Sequence, residues 1–153
     1  MDPITMIVSA IAAGAATGLK PLAEKVISDA YEGVKSLIQR KYSKVGQALT
    51  VLESKPESES KRASLQEDLA GTGAAEDTEL LDKIKVLIEA LENHKPEIPA
   101  AIGVDLKEVK AAYLKAEKVM AEGTGVKLEN SEFSGGIDLG EVRAGNVKDS
   151  ENP

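Results

Sequence analysis

At 153 residues the chain suits one domain with a short appendage, and its 42% apolar residues suffice for a single core. Aromatics make up only 3% and Trp is absent, so the core must be built from Leu, Ile, Val and Ala, which favours helix-on-helix packing over a β-sandwich. The absence of cysteine excludes disulfides, thiolate nucleophiles and cysteine metal sites, and a net charge of −7 argues against nonspecific nucleic-acid binding.

The first predicted element follows Asp2, which can cap a helix that Pro3 opens. Seventeen uncharged residues separate Asp2 from Lys20. Ile4, Met6, Ile7, Val8, Ile11 and Leu19 cover all sides of a helical wheel, and Ala and Gly fill most of the rest. A helix apolar all round is buried in protein or in lipid. Seventeen helical residues span ~25 Å against a hydrocarbon core of ~30 Å, so a permanent span is marginal. The segment lacks the basic start of a signal peptide, although "AAGAA" resembles a cleavage site and keeps export open. Gly14 and Gly18 are too close together for a phosphate loop, and Leu19 and Pro21 occupy the wrong places. They form instead a small-residue contact pattern on one helix face.

Pro21 ends or kinks this helix. The spacing predicts a second helix over Pro21–Tyr42, with Leu22, Val26, Ile27, Ala30, Val34, Leu37 and Ile38 inward. Residues 20–44 carry +3, with Lys20, Lys25, Lys35, Arg40, Lys41 and Lys44 outnumbering Glu24, Asp29 and Glu32. Basic residues directly after an apolar segment suit anionic headgroups, and equally suit a solvated helix face.

A third helix carries Val45, Ala48, Leu49 and Leu52. "ESKPESESKR" reads as an exposed connection, and Ala63, Leu65 and Leu69 as a short weak fourth helix ended at "GTG". The fifth, "EDTELLDKIKVLIEALENH", repeats Leu80, Leu81, Ile84, Leu87, Ile88 and Leu91 at three and four residues, with acidic residues at its start. The sole histidine, His94, reads as a solvent-exposed loop residue. Asp105 can cap a sixth helix, with Leu106, Val109, Ala112, Ala116, Val119 and Met120 inward and "GTG" at 123–125 as its end.

Beyond Gly125 the period changes to two. Val126 and Leu128 match Ile137 and Leu139, and Phe133 matches Val142, in two short strand-like units around Gly135 and Gly136. An ordinary hairpin packed on the bundle explains the pattern as well as a signalling repeat does. The carboxylates fall on polar faces without a nucleophile or base beside them, so the chain reads as non-enzymatic, with no cofactor and no metal.

The fold class is therefore all-α, a helical bundle over residues 1–122 with a β-prone segment and tail over 123–153. "MDPITMIVSAIAAGAATGLK" and "AYEGVKSLIQRKY" resemble the bacterial HeLo-like (Bell) domain, over roughly residues 1–120. That family is related to the fungal HeLo domain of the HET-S protein and to the four-helix domain of the mixed-lineage kinase-like necroptosis protein. The resemblance implies a pore-forming cell-death effector of bacterial defence. Its apolar first helix inserts into membrane, and a C-terminal amyloid motif is templated by a partner with a matching motif. Insertion would fall on Ile4, Met6, Ile7, Val8, Ile11 and Leu19, with Gly14 and Gly18 at helix contacts. Headgroup contact would fall on the six basic residues of 20–44, and templating on residues 126–145. The expected resting state is cytoplasmic, with the first helix covered by the second, fifth and sixth. Activation would bring self-association, lipid contact and movement to the inner membrane. The competing reading is a soluble helical adaptor whose first helix is simply core.

Overall fold

A computed structural model describes residues 1–131, with side-chain surroundings through Glu122. Six helices follow in order: α1 (Pro3–Gly18), α2 (Lys25–Lys41), α3 (Gly46–Ser54), α4 (Glu59–Ala70), α5 (Thr78–His94) and α6 (Leu106–Ser131). Short 3-10 turns lie at Ala74–Glu76 and Ala100–Ile102, and the described residues contain no strand. The chain divides into two compact units, residues 1–115 and 116–153, and α6 begins in the first and continues in the second.

Local chemistry sets most helix starts. The Thr5 amide donates to Asp2 Oδ1 at 2.8 Å, and Pro3 sits where its missing N–H is not needed. Asp77 caps α5 by accepting from the amides of Glu79 and Leu80. Asp105 accepts from the Lys107 amide at the head of α6. Ser58 accepts from the Lys61 amide. That cap starts α4 at Glu59, inside the stretch expected to be a loop, and Ala63 is exposed rather than inward.

α2 begins four residues later than the periodicity predicts. Pro21 disfavours helical geometry at Lys20, and residues 19–24 make a turn closed by the Ala23 amide on the Lys20 carbonyl at 3.0 Å. Leu22 is thereby carried off the helix face and is 97% exposed, and Val26 is 50% exposed, so neither is core. Ile27, Ala30, Val34, Leu37 and Ile38 are buried as expected. All six inward positions of α5 are buried. In α6, Val109 and Ala116 are buried and Val119 is exposed.

α6 runs through Gly123 and Gly125 to Ser131 rather than stopping at the first glycine. Each interior glycine costs about 1 kcal/mol relative to Ala, which a continuing helix can absorb. Val126 and Leu128 therefore lie on a helix. Phe133, Gly135, Gly136, Ile137, Leu139 and Val142, and with them the hairpin, lie outside the described residues.

The core of the first unit is centred on α1. It packs against α2, α3, α4 and α5, and α2 and α5 pack on each other. The expected cover by α2 and α5 is present, and α3 and α4 also pack on α1. The α5–α6 connection adds Ile102, with Ile98 and Val104 around it, over Ala12 and Ala16.

Candidate functional site

The segment singled out for membrane activity is the most enclosed helix of the first unit. Twelve of the sixteen residues of α1 are buried, on all sides of the helix. Met6, Ile7, Val8, Ile11, Gly14 and Gly18 are among them, and Ile4 is half-buried in the first turn. Leu19 lies beyond the helix and is 41% exposed. Ser9 is the only residue between Met6 and Gly18 that is not fully buried.

Gly14 permits the closest approach. A Cβ there would stand 3.0 Å from Leu87 Cδ2 on α5 and 3.0 Å from Tyr31 Cδ1 on α2. A Cβ on Gly18 would meet Ile27 Cγ2 at 3.3 Å. The small-residue pattern thus serves helix packing within the protein core.

Few polar bonds hold α1. The Thr17 hydroxyl donates to the Ala13 carbonyl at 2.8 Å, inside the same helix. Gln66 Nε2 of α4 donates to Thr5 Oγ1 at 2.9 Å. Among the described residues this is the one side-chain hydrogen bond from α1 to another helix, and α1 makes no ion pair. Dispersion and apolar burial therefore hold it almost alone.

The neighbouring helices are tied more firmly. Between α2 and α3, the Tyr31 hydroxyl donates to Glu53 Oε2 at 2.7 Å and Lys35 Nζ donates to Glu53 Oε1 at 3.1 Å. Burial, and then the Glu53 carboxylate, push the Tyr31 hydroxyl far above the ordinary phenol range. Between α2 and α5, Asp77 receives the Tyr42 hydroxyl at 2.6 Å and Lys41 Nζ at 3.2 Å while capping α5. Lys41 also pairs with Glu79 at 2.9 Å, and Arg40 with Glu79 at 3.0 Å.

Burial alone would raise the Asp77 carboxyl. The hydrogen bonds from Tyr42, the Leu80 amide and Lys41 together outweigh it and hold the group below the usual range. Lys41 and then Arg40 lower Glu79. Glu79 and then Asp77 raise Lys41. Burial and then the Asp77 carboxylate push Tyr42 up to about 12.

These ties decide the state of the basic segment. Lys25 pairs with Asp29, Lys35 with Glu53, Arg40 with Glu79, and Lys41 with both Asp77 and Glu79. Lys20 and Lys44 are exposed and make no ion pair among the described residues. The six residues do not form one free cationic face. The acidic partners Glu53 and Asp77 were not singled out by pattern. Asp77 carried a signal only as one of the acidic residues at the start of α5, and Glu53 carried none.

A shallow cleft of about 280 Å³ lies at the α1–α2 turn, with Lys20, Leu22 and Glu24 on one side and His94 and Glu97 on the other. No group of three or more His, Asp or Glu among the described residues could hold a metal ion. No described helix is long and apolar enough to cross a membrane.

Residues 1–142 match a family model, HetE-N, described as the Het-E N-terminal domain. No curated protein and no solved structure matches the chain.

Proposed function

We propose, from the premise that this chain belongs to the Het-E N-terminal domain family, that it is a cell-death effector whose α1 moves from bundle to membrane. Membership is consistent with a cell-death-related helical domain and supports the HeLo-like resemblance. The bacterial Bell-type assignment, the pore and the antiphage setting belong to this reading.

One observation carries it. α1 is buried on all sides yet, among the described residues, has one side-chain hydrogen bond to another helix and no ion pair. Hydrocarbon is as apolar as a leucine-rich core, so the environment that α1 needs is available in either place. Its backbone bonds stay within the helix, as a lipid environment requires. A helix of sixteen residues reaches ~24 Å, less than the ~30 Å hydrocarbon core, so several copies together must thin or perturb the bilayer. Self-association through residues 126–145, templated by a partner with a matching segment, would supply those copies. The chain would wait in the cytoplasm and act at the inner membrane.

α4 is the weak side of the enclosure. It contributes only Leu65 and Leu69 as buried side chains, whereas α2 is tied to α3 and α5 by charged hydrogen bonds. Displacement of α4 is the least costly way to open a path for α1.

The adaptor reading draws on the same burial, with α1 as permanent core. Dye release separates the two. The full chain, concentrated until it assembles, should empty vesicles of inner-membrane lipid. Assembled protein that leaves vesicles sealed would remove the effector reading.

A further inference from the structure

Leu22 is the most exposed large apolar side chain in the described chain, at 97%. It stands on the α1–α2 turn, with Leu19 and Val26 partly exposed on either side and exposed Pro21 next to it. Lys20 and Lys25 flank it in sequence. Lys20 has no ion-pair partner among the described residues and lines the same cleft as Leu22. Among the described residues Lys25 pairs only with Asp29, across a largely solvated i,i+4 contact that gives up its ammonium at little cost. Glu24 also lies on the turn, so the tip has no strong net charge.

We infer that the α1–α2 turn is a membrane-docking tip, in which Leu22 enters the acyl boundary while Lys20 and Lys25 contact lipid phosphates. The inference rests on the effector reading and adds the site of first contact. Four small apolar side chains are far too few for a stable protein interface, which takes about 20–30 residues a side. They suffice for shallow, reversible lipid contact, where an apolar wedge and flanking ammonium groups work together. The tip is continuous with the end of α1, so docking would place that end of the buried helix at the bilayer. Lys35, Arg40 and Lys41 are engaged with carboxylates and are not the first contact.

Docking needs no release of α1, so it is a property of the resting chain. The chain has no Trp, which makes Leu22→Trp a sole indole reporter at a position where the fold makes no demand. Titrated with vesicles of phosphatidylglycerol and phosphatidylcholine, resting Leu22→Trp should shift its emission to the blue. Val86→Trp, on α5, should not. Leu22→Asp should lower vesicle partitioning at least about tenfold, the loss of one leucine from an apolar site. Lys20→Glu with Lys25→Glu should lower it further. An unshifted Leu22→Trp, or Leu22→Asp that partitions like the parent, overturns the tip. If assembled protein still releases dye in that case, the effector reading survives alone. If the tip docks and dye release never occurs, the effector reading fails and the tip stands as a lipid contact.

Discussion

Thr5 and Gln66 meet at 2.9 Å across the α1–α4 contact, and no other side-chain hydrogen bond joins α1 to a neighbouring helix among the described residues. The bond is part-buried, so its loss should cost about 0.5–1.5 kcal/mol. Gln66→Ala should lower urea stability by that amount and raise the initial rate of dye release. Unchanged release with lowered stability would show that the α1–α4 contact does not restrain α1.

Alanine should stabilise at Gly33 and should not stabilise at Gly14. At Gly33 the new Cβ would lie 3.7 Å from Lys83 Cδ, an ordinary contact, so Gly33→Ala should gain about 0.5–1 kcal/mol from helix propensity. At Gly14 it would press on the buried Tyr31 ring and on Leu87, at a cost of about 1–3 kcal/mol that offsets or exceeds the same gain. Thermal melts of the two variants check the ordering.

Acid should loosen the α2–α5 clamp. Asp77 and Glu79 are held below their ordinary values of 3.8 and 4.5, so their contribution is present above that range and lost as pH falls through the lowered values. Lys41, raised above 10.5, contributes below that value and loses the contribution as pH rises through its folded value. Tyr42, shifted from 10.0 to about 12, does the same across that interval. Stability measured against pH should therefore be flat through neutrality and fall at both ends. Asp77→Asn should flatten part of the acid limb while lowering the plateau.

α4 should open before α2 or α5. Its buried side chains are two leucines, so amide exchange at Leu65 and Leu69 should be faster than at Leu37 or Leu87. Leu65→Ala should cost about 2–5 kcal/mol if α4 melts only with the whole unit, and less if α4 opens locally.

α5 was legible because its six inward residues follow one period and acidic residues mark its start. α1 was legible for the opposite reason, since an all-round apolar helix can only be enclosed. α4 was legible as a short helix ended before Thr72, but not its start, because Leu65 and Leu69 make too short a pattern to show that Ser58 opens a three-turn helix. Leu22 fits the α2 period and was misplaced because Pro21 breaks the helix just before it, and Val26 lies in the first turn of α2, half exposed. At the candidate site the basic residues could be listed, but their carboxylate partners could not. Lys35 and Glu53 are 18 residues apart, Lys41 and Asp77 are 36, and no local pattern joins them.

Substitutions of Ile7 or Ile11 by lysine cannot separate effector from adaptor, because both side chains are fully buried and either reading expects unfolding. Ser9 can. It lies in the middle of α1 yet stays half-buried in the bundle, so Ser9→Asp keeps access to water when folded and would sit deep in the hydrocarbon when inserted. A carboxylate there costs about 3 kcal/mol on insertion, or about a hundredfold in the inserted population. The decisive measurement is dye release by assembled Ser9→Asp beside the parent, with urea stability of both. The effector reading expects near-parental stability and release reduced about a hundredfold. Parental release from a folded Ser9→Asp would contradict insertion of α1.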